Sequence, residues 1–291
     1  MAWTDFRVLT LSTNSYPYIN LTARESGEYR KTTGATFSGS LHTRKGTSVA
    51  IVHVSILIAV IILGNMKDYV LSIYADRFDK SVTKRDVMWK ILCEHYFQKF
   101  IEPNDTVLDL AAGYCEFINN IRCGKKIAVD LNRKTKFMAN KDVIVYQTLS
   151  TKLPKSLSSK VDVVFVSNFF EHLESKNELI DTLKEIHRVL KPGGRIMILQ
   201  PNIRLVGNQY WDYVDHTLPI TEKSLLEAFH LTQFAMEFQK TRFLPYTANS
   251  KTPAIPLFIR AYLMFPPAQL LMGKQTFVIG RKLETTLATE R

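Results

Sequence analysis

The sequence predicts an α/β protein whose mostly parallel central sheet is covered by helices on both faces. Three observations carry that expectation. Residues 106–117, TVLDLAAGYCEF, pass from an apolar strand through a small-residue turn into a helix. Residues 161–167, VDVVFVS, form a nearly all-apolar run bounded by loops, as a strand covered on both faces requires. Strand, helix and strand then alternate up to residues 195–200, RIMILQ, the order of a parallel sheet with right-handed crossovers.

The first of these stretches organises the rest. Gly113 suits its turn because a residue without a Cβ takes positive φ and lets a ligand approach the backbone. The next strand, IAVDLN at 127–132, carries Asp130 seventeen residues after Gly113. Two vicinal hydroxyls of a ribose match the two oxygens of one carboxylate at that place. A dinucleotide site needs glycines where its pyrophosphate meets the helix, whereas this loop carries Tyr114, Cys115 and Glu116. A carboxylate there repels a pyrophosphate but accepts a cofactor bearing an ammonium and a sulfonium.

Residues 109–117, Asp130, the block SNFFEHL at 167–173 and VLKPGG at 189–194 together resemble the class I S-adenosylmethionine-dependent methyltransferases. The likeness covers roughly the last three quarters of the chain, in several ordered blocks. It implies a Rossmann-like methyltransferase fold and S-adenosyl-L-methionine as cofactor. By the same resemblance, Asp109, Ala111 and Gly113 hold the methionine end, Asp130 with Leu131 the ribose, and Asn168 the neighbourhood of the methyl group. Ala111 and Cys115 stand where the family usually has glycine, and Cys115 is expected to resist positive φ. Residues 147–150, QTLS, lack the acidic residue that the family often turns to the adenine amino group, which leaves Thr148 or a backbone group for that contact.

Length and composition bound the reading without deciding it. The 291 residues suffice for one large domain with an extension, and a 46% hydrophobic, 22% charged composition is that of a globular protein. The net charge of +11 raises nucleic-acid and membrane partners. The basic clusters at Lys80, Lys84 and Arg85, at Lys125 and Lys126, and at Arg133, Lys134, Lys136 and Lys141 are not interleaved with aromatics as a stacking platform requires. No nucleic-acid partner is expected. Cys93, Cys115 and Cys123 make an odd set without CxxC spacing, which points to a reducing, cytoplasmic compartment and to no metal.

The domain division follows from the first residues. Residues 1–65 form an N-terminal extension; up to Thr47 it is rich in Ser, Thr and Gly and predicts no regular structure. Residues 48–64, SVAIVHVSILIAVIILG, are an uncharged apolar run at the lower limit for spanning a bilayer. Three readings stand for it: a membrane anchor, a helix or strand buried against the catalytic domain, or sequence that the mature protein never carries. Residues 66–285 are expected to be the methyltransferase domain and 286–291 a tail.

Within that domain, apolar spacing over 68–100 predicts two helices ahead of the first strand, closed by the turn EPND at 102–105. Residues 143–146 predict a third strand. Residues 178–189 predict an amphipathic helix with Leu179, Leu183, Ile186 and Leu190 on one stripe, ended by the Lys191-Pro192-Gly193-Gly194 run. Residues 221–229 predict a further helix and 276–279 a last strand, whose antiparallel insertion is implied by the family alone.

The acceptor side follows Gln200. Tyr210, Trp211, Asp212, Tyr213, Val214, Asp215 and His216 gather aromatic, acidic and imidazole groups suited to a sugar or another polyhydroxylated small molecule. His172, or His216 with Asp215, is the candidate base for an acceptor hydroxyl. The opposing readings are that His172 caps a helix or lines the cofactor pocket, and that Trp211 and Tyr213 form a packed lid with Asp215 orienting His216. Blocks 242–247 and 273–282 look like those of a bacterial subgroup tied to surface-glycan and small-molecule pathways. The apolar, proline-interrupted residues 253–269 read as an outer wall of the pocket or a membrane contact. Two rival functions remain in view: a nicotinamide oxidoreductase, opposed by the missing GxGxxG, and a non-catalytic cofactor-binding partner held at a membrane by residues 48–64.

Overall fold

A computed structural model describes residues 28–30, 36–38, 82–246 and 255–283, with side chains described from residue 85 onward in the last two stretches. The chain divides into two units, residues 1–67 and 68–291. In the first, β1 (Glu28–Arg30) pairs antiparallel with β2 (Thr36–Ser38), Glu28 opposite Ser38. This small strand pair corrects the expectation of no regular structure before residue 48. The apolar segment 48–64 and the predicted helix before residue 82 lie outside the described residues. Among the described residues, no helix is long and apolar enough to cross a membrane.

The second unit opens with α1 (Val82–His95), followed by β3 (Thr106–Leu110), α2 (Glu116–Asn120), β4 (Lys125–Val129), α3 (Thr135–Met138) and β5 (Val143–Tyr146). It continues through β6 (Val161–Ser167), α4 (Lys176–Val189), β7 (Leu190–Pro201), α5 (Ile203–Val206), α6 (Glu222–Leu231) and β8 (Phe234–Lys240). Helices α7 (Pro256–Met264) and α8 (Pro266–Met272) lead into β9 (Gln275–Lys282). The seven strands lie in the order β5-β4-β3-β6-β7-β9-β8. The five from β5 to β7 are parallel, and β9 is antiparallel to both its neighbours.

Alternation along the strands decides which residues face which helix layer. Leu108, Leu110, Val164, Val166, Ile196 and Ile198 join one apolar cluster with Leu183 and Ile186 of α4 and Leu225 and Phe229 of α6. Val107, Val163, Phe165, Met197, Leu199 and Phe277 join the other with Leu92 of α1 and Phe117 and Ile118 of α2. Both faces are therefore dry, which is why β6 reads as an unbroken apolar run.

Two local expectations are corrected. Helix α4 is started by Ser175, whose hydroxyl accepts from the Glu178 N–H, but it is not ended by the Lys191–Gly194 run. Leu190 is already extended and pairs with Val161; the glycines carry an irregularity inside β7, with Gly193 at a φ of 71°. Strand β8 was not legible as a strand: it lies at the sheet edge, and its sequence FAMEFQK mixes polar and apolar residues.

The chain builds β3, β4 and β5 outward in one direction, then returns to place β6 on the other side of β3. That reversal opens a crevice at the carboxyl ends of β3 and β6, where ligands bind in open α/β sheets. A depression of about 420 Å³ lined by Thr106, Lys125, Lys160 and Lys191 lies instead at the opposite strand ends.

Candidate active site

Every sequence-predicted cofactor residue falls at or just beyond the carboxyl end of a strand: Asp109 in the last two residues of β3, Ala111 and Gly113 after it, Asp130 and Leu131 after β4, Thr148 after β5, Asn168 after β6. The loop after β3 alternates into the left-handed region at Ala111 (φ 57°), Gly113 (φ 53°) and Cys115 (φ 64°). Only Gly113 takes that conformation without penalty; at the other two the Cβ crowds the following carbonyl. The expectation that Cys115 avoids positive φ is thus corrected: burial and neighbours hold it there.

Thr135 is one of those neighbours and had no role in the sequence reading. Fully buried at the start of α3, it donates its hydroxyl to the Gly113 carbonyl at 2.8 Å, and its own carbonyl accepts from Cys115 Sγ at 3.7 Å. The loop is therefore tied from outside on two successive odd positions.

Asp130 closes the arrangement. Its Oδ2 accepts the Gly113 N–H at 2.7 Å and its Oδ1 the Asn132 N–H at 2.7 Å. Burial pushes its carboxyl above the ordinary range, against the lowering effect of these backbone donors. Asp109 is buried as well, and desolvation foremost, with the charge of Glu116 second, raises its pKa far above normal. Leu131 leaves an apolar side chain 44% exposed beside Asp130, and Gln147 Nε2 donates to its carbonyl at 3.0 Å. Thr148 is engaged locally, its hydroxyl donating to the Lys152 carbonyl at 2.9 Å.

Glu116 is placed differently from the sequence argument. It is buried at the first position of α2 and ion-paired with Arg85 of α1, whose guanidinium also lies 5.7 Å from the Tyr114 ring centroid. The case against a pyrophosphate consequently rests on the missing glycines rather than on a bare carboxylate. Lys126 is likewise paired, with Asp142 at 2.9 Å, so part of the basic excess is locally balanced.

Beyond β6 the backbone turns at Asn168 (φ 47°), a residue whose short polar side chain tolerates the left-handed region. Glu171 follows, 1% exposed, hydrogen-bonded by Gln200 Nε2 from the end of β7. Desolvation is the main cause that raises its pKa, opposed by His172 and Gln200. The Glu171 carbonyl accepts the N–H groups of Thr217 and Leu218, which anchors the acceptor loop to this turn.

That anchoring brings the three candidate catalytic residues together. His172 Nδ1 lies 3.0 Å from the Asp215 carbonyl oxygen and 3.4 Å from its Oδ2, and the His172 and His216 rings are 5.0 Å apart, edge to face. Tyr210 and Tyr213 flank His216 at 4.9 and 5.0 Å. Tyr210 is core, its hydroxyl donating to the Leu218 carbonyl at 2.6 Å, whereas Trp211 is half exposed. Asp215 was paired with His216 in the sequence reading; the structure also sets its carboxylate and its carbonyl against His172. The Arg242–Thr247 block divides: Phe243 is buried core, and Tyr246 meets Tyr213 at 6.1 Å.

Comparison with known proteins gives the fold. Residues 108–198 match the family described as "Methyltransferase domain". No curated protein matches the chain. Among solved structures, it is similar to an S-adenosylmethionine-dependent methyltransferase from Archaeoglobus fulgidus, 19% identical over 70% of this chain and 99% of that one, with a TM-score of 0.50. It is also similar to a Thermotoga maritima protein described as an S-adenosylmethionine-dependent methyltransferase, possible histamine N-methyltransferase, 15% identical over 72% and 97%, with a TM-score of 0.51. The sheet is accordingly the Rossmann-like methyltransferase fold, and residues 108–198 carry its methyltransferase-domain pattern.

Proposed function

We propose that residues 66–285 are an S-adenosylmethionine-dependent methyltransferase acting at oxygen on a small-molecule or glycan-type acceptor. The observation that carries this reading is the joined pair of Gly113 and Asp130 at the carboxyl ends of β3 and β4. The residues fit the cofactor: small side chains and three left-handed positions open the loop after β3, and the Asp130 carboxylate, fixed by backbone N–H donors, keeps a lone pair for a ribose hydroxyl. Leu131 offers an apolar contact and Thr148 a hydroxyl. When bound, the cofactor supplies an electrophilic methyl group on a sulfonium.

The chain's own part is alignment, exclusion of water and removal of a proton. Asn168 and the turn after β6 border the crevice between donor and acceptor sides. The Asp215 carbonyl accepts the hydrogen bond of His172 Nδ1–H, so Nε2 is the ring nitrogen left for proton transfer. An imidazole of this corner, His172 or His216, takes the acceptor proton. Trp211, Tyr213 and Tyr246 wall the acceptor side, where aromatic faces suit the C–H surfaces of a sugar ring.

We further assign the chain to the cytoplasm, with no nucleic-acid partner and with membrane contact through residues 48–64. The exposed apolar side chains Leu257, Phe258 and Met264 of α7, Phe265 between the helices, and Leu270 and Leu271 of α8 support a second place of contact. Titration calorimetry of the full chain with S-adenosylhomocysteine tests the cofactor assignment: binding is expected, and its absence together with binding of NAD would overturn it. Mass spectrometry of cell extracts incubated with labelled donor then identifies the acceptor.

A further inference from the structure

The Glu171 carboxylate is 1% exposed, and among the described residues no lysine or arginine pairs with it. Its Oε2 is taken by Gln200, while its Oε1 faces His172 Nε2 at 3.8 Å. A carbonyl only accepts, so the 3.0 Å contact with the Asp215 oxygen puts a ring proton on Nδ1 and leaves Nε2 as the atom that faces Glu171. A proton or a metal ion held between the two atoms satisfies them, because buried charge is tolerated only when paired or coordinated. His216, 8% exposed, brings a third donor, and the ligand atoms of Glu171, His172 and His216 all lie within 4.8 Å of one another.

We propose that Glu171, His172 and His216 form a binding site for one divalent transition-metal ion. The donor set, two imidazoles and one carboxylate, suits zinc and its first-row neighbours rather than calcium or magnesium. Ligands about 2.0–2.2 Å from such an ion lie roughly 3.5 Å apart, so the Glu171 to His172 spacing closes with a small side-chain rotation. The second shell is already built: Nδ1 of His172 is held by Asp215, and Glu171 is held by Gln200. The His172 side chain keeps 25% exposure, which leaves the acceptor side open for a fourth ligand. A hydroxyl of the acceptor bound there would lose its proton more readily to water, with His172 and His216 then acting as ligands and not as bases; this role, unlike the site itself, rests on the methyltransferase reading.

The test uses the full chain, free of any histidine tag and stripped with chelator, with no donor or acceptor present. Zinc titration followed by elemental analysis is expected to give one equivalent per chain, and Co²⁺ the visible absorption of a low-coordinate nitrogen-oxygen site. Glu171→Gln keeps the hydrogen bond to Gln200 and is expected to weaken zinc binding at least 100-fold, beyond the roughly 10–100-fold of an outer-shell change. His230→Ala, at an exposed position on α6, is expected to change nothing. Zinc bound equally by the wild type and by Glu171→Gln, or not bound at all, overturns the proposal and leaves a proton as the occupant. S-adenosylhomocysteine binding, measured on the same sample, reports separately on the methyltransferase reading.

Discussion

The backbone N–H of Gly113 donates to Asp130 Oδ2 at 2.7 Å across seventeen residues of sequence, so the turn after β3 and the tip of β4 form one piece. Asp130→Ala removes the carboxylate from both the loop and the proposed ribose contact. Calorimetry with S-adenosylhomocysteine is expected to show affinity lowered at least 100-fold, consistent with the loss of two charge-assisted hydrogen bonds. Unchanged affinity would remove Asp130 from the site.

Ala111 carries a Cβ at a φ of 57°. Ala111→Gly relieves a left-handed cost of about 1–2 kcal/mol and adds back part of it as chain entropy in the unfolded state. A net gain of about 0.5–1 kcal/mol is expected, read as a raised midpoint in chemical denaturation. Cys115→Gly relieves the same cost but loses a buried side chain that reaches Thr135, and is expected to gain less.

Thr135→Val keeps the shape of the buried side chain and removes the hydroxyl that donates to the Gly113 carbonyl. The orphaned carbonyl is expected to cost about 1–2 kcal/mol of stability. Cofactor affinity is expected to fall with it, because the loop loses an outside tie; both are measurable on one preparation by denaturation and calorimetry.

His216→Ala is expected to leave S-adenosylhomocysteine binding within a factor of about 2 and to lower turnover roughly 10²–10⁴-fold, the scale of losing a group that takes or acidifies the acceptor proton. Turnover measured with the acceptor found by mass spectrometry checks it. An equal loss of cofactor affinity would move His216 to the donor side.

His187 gives a pH dependence away from the site. Desolvation first, and the charge of Lys282 second, hold its pKa below the ordinary value, and its ring meets Phe234 edge to face at 5.3 Å. The unfolded chain therefore binds this proton more readily than the folded one. The contribution is present above the unfolded pKa of about 6.5 and is lost as pH falls through the depressed folded value. His187→Phe keeps a ring against Phe234 and is expected to reduce the fall in melting temperature between pH 7 and pH 5.

What was legible in the sequence was whatever a short stretch decides. The strands β3 and β6 declare themselves because both their faces are dry, and the Gly113 to Asp130 spacing follows from one strand–helix–strand unit. What was not legible is set by partners distant in the chain. Thr135 reaches Gly113 over 22 residues and His172 reaches Asp215 over 43, and neither contact leaves a periodic trace. The role of Glu171 depends on Gln200, 29 residues away, which reads only as the polar end of an apolar strand. The glycines of the Lys191–Gly194 run misled because helix stops and strand irregularities draw on the same residue type.

Strand β8 touches the sheet only through β9, which is made after it and slides in between β8 and β7. A ribosome that has released the chain only to residue 270 presents β7 with a bare edge and β8 with nothing to join. The sheet is therefore completed from the inside only once β9 has been made, and nascent chains stalled before that point are exposed to edge-to-edge adhesion.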